Sequence, residues 1–451
     1  MVHDAGKLAA VVAPSRRIAT RVLERIARDD SWAAPALDAE IQRSGSSRAD
    51  AALATRIVYG ALRAKPDLEA SIERHARRPI RVDAWTRAAL LGAAYQLLYL
   101  DKVPAYAVVH DTVELVREKR GVRVAGFVNA ILRKLAVQPP AESPRSSTMA
   151  VPSWLGDALR ASIGSDRTDA LLTLADETPS IDLRVRADFE RDSVAEAIRR
   201  AHRDALVSHT ALSPFGLRVS GVGDPRKLPG YEQGAFAVQE EGAQLIGLLL
   251  DAQRAERVLD VCAGRGGKTA QLVEAVGTEG SVTATDLHEH RLAQIARELG
   301  RLRLGPDRVH TACVDWTVGS GGVGGEFDRV LIDAPCTGLG TLRRRPEILL
   351  RAKPEDAARM GETQHRILEN AARLVRRGGT LLYAVCSPLA EEGRAVVQEA
   401  RIDGFEPQID RPSALRSLEF GPDGRLLLGP WVPGAGPWAD AYQIFMWVNV
   451  G

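Results

Sequence analysis

The 451-residue chain contains few cysteines and no hydrophobic run long enough to cross a membrane. Residues 89 to 100 come closest to such a run, but a membrane-spanning helix needs roughly 18 or more apolar residues. The first residues mix acidic and basic side chains and lack the cleavage pattern of a signal peptide. These absences argue against a membrane or secreted protein and predict a cytoplasmic location.

The four cysteines lie far apart, without C-x-x-C spacing and without a paired histidine cluster. This spacing is unlike that of a disulfide framework or a structural zinc site. We therefore expect free thiols and no bound metal at Cys262, Cys313, Cys336 and Cys386.

Hydrophobic residues make up 45% of the chain and charged residues 26%, which is typical of a globular protein. The net charge of +2 is unevenly distributed, because residues 1 to 140 contain 23 basic and 15 acidic side chains. A solvated helical surface would explain this excess, and so would a surface that binds RNA phosphates. The composition alone leaves both interpretations open.

The chain length suggests two or three domains, and the pattern along the sequence changes twice. Residues 1 to 140 have helical periodicity and predict an all-α domain, whose first helix would have Ser15 as its N-cap. A Pro- and Ser-rich stretch at 141 to 153 predicts a linker. Mixed helices and strands at 154 to 230 predict a small α+β subdomain. From 231 to 451, short apolar strands alternate with helices, which predicts a mainly parallel α/β sheet.

A glycine-rich turn follows the first strand of this sheet, in the sequence DVCAGRGGKT. Glycines at a strand-to-helix turn let backbone N–H groups approach a ligand. A phosphate-binding Walker A loop is excluded, because Cys262 occupies the position of its first glycine. Lys268 supplies a cation that could pair with a carboxylate of the ligand.

Three acidic residues follow successive strands of the predicted sheet. Asp286 lies 22 positions after Gly264, near the offset at which an acid reaches ribose hydroxyls, and Asp315 could meet an adenine amino group. Asp260 is expected to be partly buried behind the turn, with Asp286 and Asp315 facing outward. Ordinary strand-terminal caps would explain each acid alone, but together with the glycines they favour an adenosyl ligand without phosphates.

Asp333, Cys336 and Cys386 also follow strands of this sheet, in the stretches LIDAPCTG and YAVCSPLAEE. Ligands of open α/β sheets lie beyond the carboxyl ends of the strands, so we expect these side chains to converge. A cysteine that adds to carbon 6 of a pyrimidine makes carbon 5 nucleophilic towards a methyl donor. A nearby carboxyl can stabilise the charge that develops at N3. The residues therefore indicate pyrimidine methylation, and Cys262 and Cys313 are interpreted as structural.

Together these motifs resemble those of the bacterial 16S ribosomal RNA cytosine-5 methyltransferases of the RsmB/Sun type. In the C-terminal half, the resemblance rests on CAGRGGKT, TATDLH, DAPCTGLGTLRRRPEI and YAVCSPLAEE. The N-terminal NusB-like, RNA-binding domain of that family has similar stretches to IVYGALR, LLGAAYQLLYLDKVPAYAVVHDTVELV and FVNAILRKLA. Its small RRM-like subdomain is similar to SIDLRVRA. The resemblance spans nearly the whole chain and implies a Rossmann-like methyltransferase domain.

The resemblance implies S-adenosylmethionine (SAM) as the cofactor and 16S ribosomal RNA as the substrate. It implies Cys386 as the nucleophile and Cys336 as the thiol that assists product release. The chemistry at N3 makes Asp333 the expected catalytic carboxyl. The resemblance implies that the cofactor is bound by Cys262, Ala263, Gly264, Arg265, Gly266, Gly267, Lys268, Asp286, Asp315 and Asp333. A monomer is expected.

Two positions depart from the family pattern, because Val385 replaces a threonine before the nucleophile and Arg265 replaces a proline of the loop. Gln239-Glu240 resembles a Gln-Asp pair that precedes the first strand. The arginines of LRRRPEI, residues 342 to 348, form either a solvated turn or a contact to RNA phosphates, which we favour.

Two other functions remain open at this point. The chain could be a non-catalytic RNA-binding or ribosome-assembly factor that retains a relic methyltransferase sheet. Methylation of an exocyclic amino group is less favoured, because DAPC lacks the aromatic residue that would stack on the base.

Overall fold

The computed structural model describes residues 12–76, 81–137, 151–176, 179–421, 424–432 and 440–451. These residues form two compact units. One contains the described residues up to 137 together with Arg345–Arg351, and the other contains the described residues from 151 onward without that segment. Among the described residues, no helix combines the length and apolar character needed to cross a membrane.

The first unit is helical throughout its described N-terminal part, which confirms the predicted all-α domain. Its helices are α1 (Pro14–Asp29), α2 (Ala33–Ser44), α3 (Arg48–Arg63), α4 (Lys65–Arg74), α5 (Ala84–Tyr99) and α6 (Ala105–Ala136). Gly121 interrupts α6 with a φ of 79°, a left-handed conformation that glycine adopts without steric cost. The apolar faces of these helices meet in one buried core.

The predicted N-cap of the first helix is wrong. α1 begins at Pro14, and Ala13 occupies the N-cap position. Proline suits the first turn of a helix because it has no N–H to satisfy and its φ is already helical. Ser15 therefore lies inside the first turn, where it is buried.

The segment Arg345–Arg351 packs against the start of α2 within the first unit. The backbone N–H of Ala33 donates to Oε1 of the buried Glu347 at 2.9 Å. Trp32, the N-cap residue of α2, has no capping side-chain bond of its own. Glu347 therefore acts as the cap, from a position 314 residues along the chain.

The predicted contact of the LRRRPEI arginines with RNA phosphates is wrong for Arg343 and stays a prediction for Arg344 and Arg345. Arg343 is buried, and Arg344 forms an ion pair with the buried Asp440. Only Arg345 is exposed, and its guanidinium lies 5.5 Å from the ring centre of Trp32. Burial of Arg343 and pairing of Arg344 follow from packing that the local sequence does not reveal.

The second unit begins with a small α+β part. It contains α7 (Ser153–Ile163), α8 (Ser165–Asp176), β1 (Ile181–Val185), α9 (Arg191–Ala201), β2 (Leu206–His209), β3 (Gly216–Ser220) and β4 (Phe236–Val238). The strands form an antiparallel sheet in the order β2-β3-β1-β4. Residues 141 to 150 of the predicted linker lie outside the described residues. The predicted boundary at 230/231 precedes β4, so this sheet takes its fourth strand from the segment assigned to the α/β domain.

The rest of the second unit is an eight-stranded sheet with helices. Its elements are α10 (Glu241–Leu249), β5 (Arg257–Asp260), α11 (Gly267–Val276), β6 (Ser281–Asp286), α12 (Glu289–Arg301), β7 (Val309–Cys313), β8 (Phe327–Asp333), α13 (Asp356–Ala372), β9 (Val375–Val385), α14 (Arg394–Glu399), β10 (Phe405–Pro407), β11 (Arg425–Leu428) and β12 (Tyr442–Asn449). The order is β10-β12-β9-β8-β5-β6-β7, with β11 paired to β12. Strands β5 to β9 are parallel, and β12 runs antiparallel to β9. This confirms the predicted mainly parallel sheet.

Buried ion pairs join the small sheet to the helices of the large one. Arg184 on β1 pairs with Glu274 on α11 at 2.6 Å, and Arg218 on β3 pairs with Glu241 on α10 at 3.1 Å. Removing one partner of a buried pair leaves an uncompensated charge, which is strongly destabilising. These ion pairs therefore hold the small sheet against the helices of the large one, in addition to the covalent connection of the chain.

The sheet order positions the site, because β5, β8 and β9 are adjacent and parallel. Asp260 at the end of β5 lies opposite Leu331 of β8, and Asp333 at the end of β8 lies opposite Ala384 of β9. The three carboxyl ends therefore open at the same edge of the sheet.

Candidate active site

A backbone hydrogen bond to β6 holds the glycine turn after β5. Ala263 N–H donates to the carbonyl of Thr285 at 2.8 Å. Gly264 and Gly266 have φ values of 56° and 87°, in the left-handed region where a side chain is disfavoured. A Cβ on Gly264 would have no neighbour within 4 Å, so there is open space beside the turn. A ligand can therefore approach the backbone at Gly264.

Some residues of the turn are buried and others are exposed. Arg265 and Gly267 are exposed, whereas Cys262 packs against the apolar core and burial raises the pKa of its thiol. Gly267 is the first residue of α11, so the turn leads directly into a helix N-terminus. Its free N–H groups and the helix dipole favour a negatively charged ligand group.

Asp286 fastens the turn instead of facing outward, as the sequence had suggested. Its side chain is 5% exposed, and its two oxygens accept the N–H groups of Gly264 at 3.1 Å and His288 at 2.9 Å. Arg291 lies 3.5 Å from the same carboxylate. Asp286 is therefore both a support for the glycine turn and an anionic group beside it.

Asp260 lies beneath the turn and is 1% exposed. Oδ2 accepts a hydrogen bond from Thr269 Oγ1 at 2.7 Å, while Oδ1 has no hydrogen-bond partner among the described residues. Burial raises the pKa of Asp260 to about 7, although the bond from Thr269 and the charge of Lys268 oppose the shift. This is the buried position that the sequence predicted.

Asp315 lies two residues beyond β7, not at the strand end as predicted. It is exposed, and its Oδ1 accepts the N–H of Thr317 at 2.9 Å and the hydroxyl of Thr317 at 2.6 Å. These bonds lower the pKa of Asp315. The neighbouring Val314 N–H donates to the carbonyl of Asp286 at 3.1 Å, which places Asp315 on the Asp286 side of the site.

Lys268 and Asp333 form an ion pair that crosses from α11 to the end of β8. The Nζ–Oδ2 distance is 2.6 Å, and the two side chains are 13% and 30% exposed. Burial lowers the pKa of Lys268, but the charge of Asp333 outweighs it, and the net pKa lies above its usual value. Lys268 is therefore charged and already has an anionic partner within the protein.

Cys336 and Cys386 meet beside this pair. Ala334 N–H donates to the carbonyl of Ala384 at 2.9 Å, which aligns the two strand exits. The Sγ atoms of the cysteines are 3.1 Å apart, and both residues are partly exposed. The contact with Cys386, together with burial, raises the pKa of Cys336 well above its ordinary value. Cys336 therefore favours its protonated thiol form, and either sulfur can be the donor in this contact.

The other two cysteines take no part in this contact. Cys313 was interpreted as a small buried side chain, but it is exposed at the end of β7, where its Sγ donates to the carbonyl of Leu287 at 3.2 Å. Among the described residues, no group of three or more His, Cys, Asp or Glu side chains could hold a metal ion.

Sequence reasoning missed a buried carboxylate that contacts the loops of Cys336 and Cys386, the two central cysteines of the site. Glu392 is 0% exposed and accepts hydrogen bonds from the residues that follow Cys336 and Cys386. The stretch CSPLAEE placed an acid there, but nothing in the local pattern distinguishes Glu392 from the exposed Glu391.

Glu240 is a second buried acid near this end of the sheet. It accepts the N–H of Asp440 at 3.2 Å and the hydroxyl of Tyr442 at 3.0 Å. Burial and the neighbouring Asp440 raise the pKa of Glu240 to about 7. The sequence indicated Glu240 only through its resemblance to a Gln-Asp pair.

Two family models match the chain. The model described as "16S rRNA methyltransferase RsmB/F" matches residues 247–404, and the model described as "NusB family" matches residues 13–137. The first range includes the glycine turn, the Lys268–Asp333 pair and both central cysteines.

Solved structures support the fold. A crystal structure of PH0851 has a TM-score of 0.81 and 21% identity, and the alignment covers 97% of this chain and 99% of that one. A crystal structure of NSun6 from Pyrococcus horikoshii with SFG has a TM-score of 0.58 and 15% identity, covering 67% of this chain and 99% of that one. At these identities the likeness concerns the fold alone.

Curated relatives cover nearly the whole chain. The "Probable ribosomal RNA small subunit methyltransferase B" of Bacillus subtilis is 30% identical over 437 residues, which is 92% of this chain and 95% of the relative. Ribosomal RNA small subunit methyltransferase B of Xanthomonas campestris is 33% identical over 402 residues, which is 87% of this chain and 89% of the relative. The chain therefore belongs to the RsmB/F family of 16S rRNA methyltransferases.

Proposed function

We propose that the protein transfers a methyl group from SAM to carbon 5 of a cytosine in 16S ribosomal RNA, through a covalent bond between Cys386 and carbon 6. The observation that carries the proposal is the 3.1 Å contact between the Cys336 and Cys386 sulfurs, at the edge of the sheet where Lys268 of α11 pairs with Asp333. Two thiols and one carboxyl are the groups that this chemistry requires.

The residues around the glycine turn fit an adenosyl cofactor. The open space beside Gly264 admits a ligand, and the unpartnered Oδ1 of Asp260 is a buried acceptor beneath the turn. In the proposal Asp286 and Asp315 meet the adenosyl part, and the loop from Cys262 to Lys268 holds the rest. When bound, the cofactor supplies an electrophilic methyl group.

The proposed chemistry begins with addition of the Cys386 thiolate to carbon 6 of cytosine. The electron pair displaced from the double bond between carbons 5 and 6 moves through the ring towards N3. The Lys268–Asp333 pair gives a proton to N3 through Asp333. Carbon 5 can then attack the methyl group. General-acid assistance of this kind contributes roughly 10²- to 10⁴-fold. Asp333 is therefore the proposed general acid.

Product release requires loss of the proton on carbon 5 and cleavage of the bond between carbon 6 and sulfur. The Cys336 thiol can give its proton to the departing Cys386 sulfur and take up the proton from carbon 5, while N3 returns its proton to Asp333. The electron pair of the C5–H bond then restores the double bond between carbons 5 and 6. The 3.1 Å sulfur contact suits this exchange.

Ribosomal RNA is the proposed substrate because the relatives are named small subunit methyltransferases and the N-terminal unit matches the NusB family. The basic excess of residues 1 to 140 would favour binding to RNA phosphates. Extruding a stacked base costs a few kcal/mol, so a cytosine in a loop is the favoured target. The cytoplasm is the proposed location.

Mapping of 5-methylcytosine in 16S ribosomal RNA tests the proposal. A strain that lacks the protein should lose one site, which the wild-type gene should restore and Cys386→Ala should not. An unchanged map, or a lost nucleotide other than 5-methylcytosine, would contradict it. Calorimetry with SAM separates an enzyme from a relic, because a relic need not bind the cofactor.

A further inference from the structure

A single buried carboxylate joins the two loops that carry the central cysteines. Oε1 of Glu392 accepts the N–H of Thr337 at 2.7 Å, and Oε2 accepts the hydroxyl of Thr337 at 2.5 Å. Oε2 also accepts a short hydrogen bond from the hydroxyl of Ser387. Both loops therefore contact the same carboxylate and share its Oε2 atom.

The positions of these donors matter because each one directly follows a cysteine. Thr337 follows Cys336, and Ser387 follows Cys386. The two hydroxyls also lie 3.3 Å from each other. Fixing Thr337 and Ser387 on one carboxylate thus limits the distance between the two preceding sulfurs.

The carboxylate is itself held in place by the surrounding structure. Gln364 on α13 donates its Nε2 to the carbonyl of Pro335 at 2.8 Å and to Glu392 at 3.3 Å. The hydroxyl of Tyr383 donates to the backbone carbonyl of Glu392 at 2.7 Å. Glu392 is therefore fixed through both its side chain and its backbone.

Burial and hydrogen bonding act in opposite directions on Glu392. Burial raises the pKa of Glu392, whereas the bonds from Ser387, Thr337 and Gln364 favour the charged form. These donors occupy both carboxylate oxygens, and the side chain is 0% exposed. Glu392 therefore has no surface through which to contact a substrate.

We propose that Glu392 is a positioning residue, which sets the spacing of the Cys336 and Cys386 sulfurs by clamping Thr337 and Ser387. The inference rests on the proposed function, because the spacing matters where one thiol attacks and the other assists release. Misplacement of a reacting group by about 1 Å costs roughly 10²-fold in rate. The clamp therefore acts on the chemical step and not on cofactor binding.

Glu392→Ala tests the clamp in the full-length protein, with the exposed neighbour Glu391→Gln as the matched control. Bridging of the two thiols by dibromobimane reports their spacing without any need for activity. We expect Glu392→Ala to slow bridging several-fold and to lower kcat by roughly 10²-fold, with KM for SAM within about twofold of wild type. Glu392→Gln keeps an acceptor oxygen and should recover part of both losses, and Glu391→Gln should match wild type.

Wild-type bridging and kcat in Glu392→Ala would overturn the inference, as would a change in KM for SAM without a change in kcat. If Glu392→Ala does not fold, Thr337→Val and Ser387→Ala each remove one hydroxyl contact and should each slow bridging. Unchanged bridging in both would likewise overturn it. Slower bridging together with an inactive wild-type enzyme would refute the proposed function and leave the spacing role of Glu392 standing.

Discussion

The sulfur atoms of Cys336 and Cys386 lie 3.1 Å apart although the residues are separated by 50 positions in the chain. They meet because β8 and β9 are adjacent parallel strands, and each cysteine follows the end of its strand. Parallel neighbours end at the same edge of a sheet, so residues at matching positions beyond them come together.

This contact predicts that the enzyme is sensitive to oxidation. Hydrogen peroxide should convert the two thiols to a Cys336–Cys386 disulfide, with reduction of the peroxide to two molecules of water. Methyl transfer should stop and should return after treatment with dithiothreitol. Mass spectrometry of the digested protein would detect the linked peptides. A reversible loss of activity without this linkage would contradict the prediction, and Cys313→Ala controls for oxidation of the exposed cysteine.

The Lys268–Asp333 pair predicts a loss of rate when either charge is removed. Asp333→Asn should lower kcat by roughly 10²- to 10⁴-fold, because the variant cannot pass a proton to N3. Lys268→Met should lower kcat as well, since it leaves Asp333 without its cation at 2.6 Å. Steady-state kinetics with 16S ribosomal RNA measure both, and the exposed Glu326→Gln is the control. Wild-type kcat in Asp333→Asn would contradict the assignment.

Asp260 predicts how stability depends on pH. Its pKa is raised from 3.8 to about 7 in the folded protein, so the unfolded chain loses this proton first as the pH rises. The free energy of unfolding should therefore fall between about pH 4 and pH 7, by up to about 1.4 kcal/mol per pH unit for this group. Asp260→Asn should flatten that slope while it keeps an acceptor for Thr269.

Urea denaturation at several pH values measures this slope. Glu240→Gln should also reduce the fall in the free energy of unfolding over this pH range, because the pKa of Glu240 is raised to about 7 as well. The exposed Asp307→Asn should leave the slope unchanged. A slope in Asp260→Asn equal to that of wild type would show that Asp260 does not retain its proton in the folded state.

The sequence predicted the sheet and the convergence of the two cysteines, because alternating strands and helices imply parallel pairing. It did not predict that Lys268 would pair with Asp333, since that contact depends on β5 lying beside β8 in the strand order. The same limit explains Glu392, whose carboxylate binds a residue 55 positions away. Burial of Arg343 was missed because consecutive arginines normally indicate a solvated surface.

The inward orientation of Asp286 shows a different limit. The 22-residue offset from Gly264 placed an acid beside the turn, but offset alone does not say which way a side chain faces. In the structure the carboxylate accepts the N–H of Gly264 itself. Roles in catalysis and cofactor binding stay predictions for every residue of the site.

The most direct test of the account is detection of the covalent bond to Cys386. Incubation of Cys336→Ala with SAM and 16S ribosomal RNA should accumulate a protein–RNA adduct that survives denaturing gels, because release is impaired while addition is not. Mass spectrometry should locate the nucleotide on the peptide that contains Cys386, and Cys336→Ala/Cys386→Ala should form no adduct. Cys386→Ala alone should lower methyl transfer by roughly 10⁴-fold or more. Methylation by Cys386→Ala at the wild-type rate, or an adduct attached elsewhere, would contradict the account.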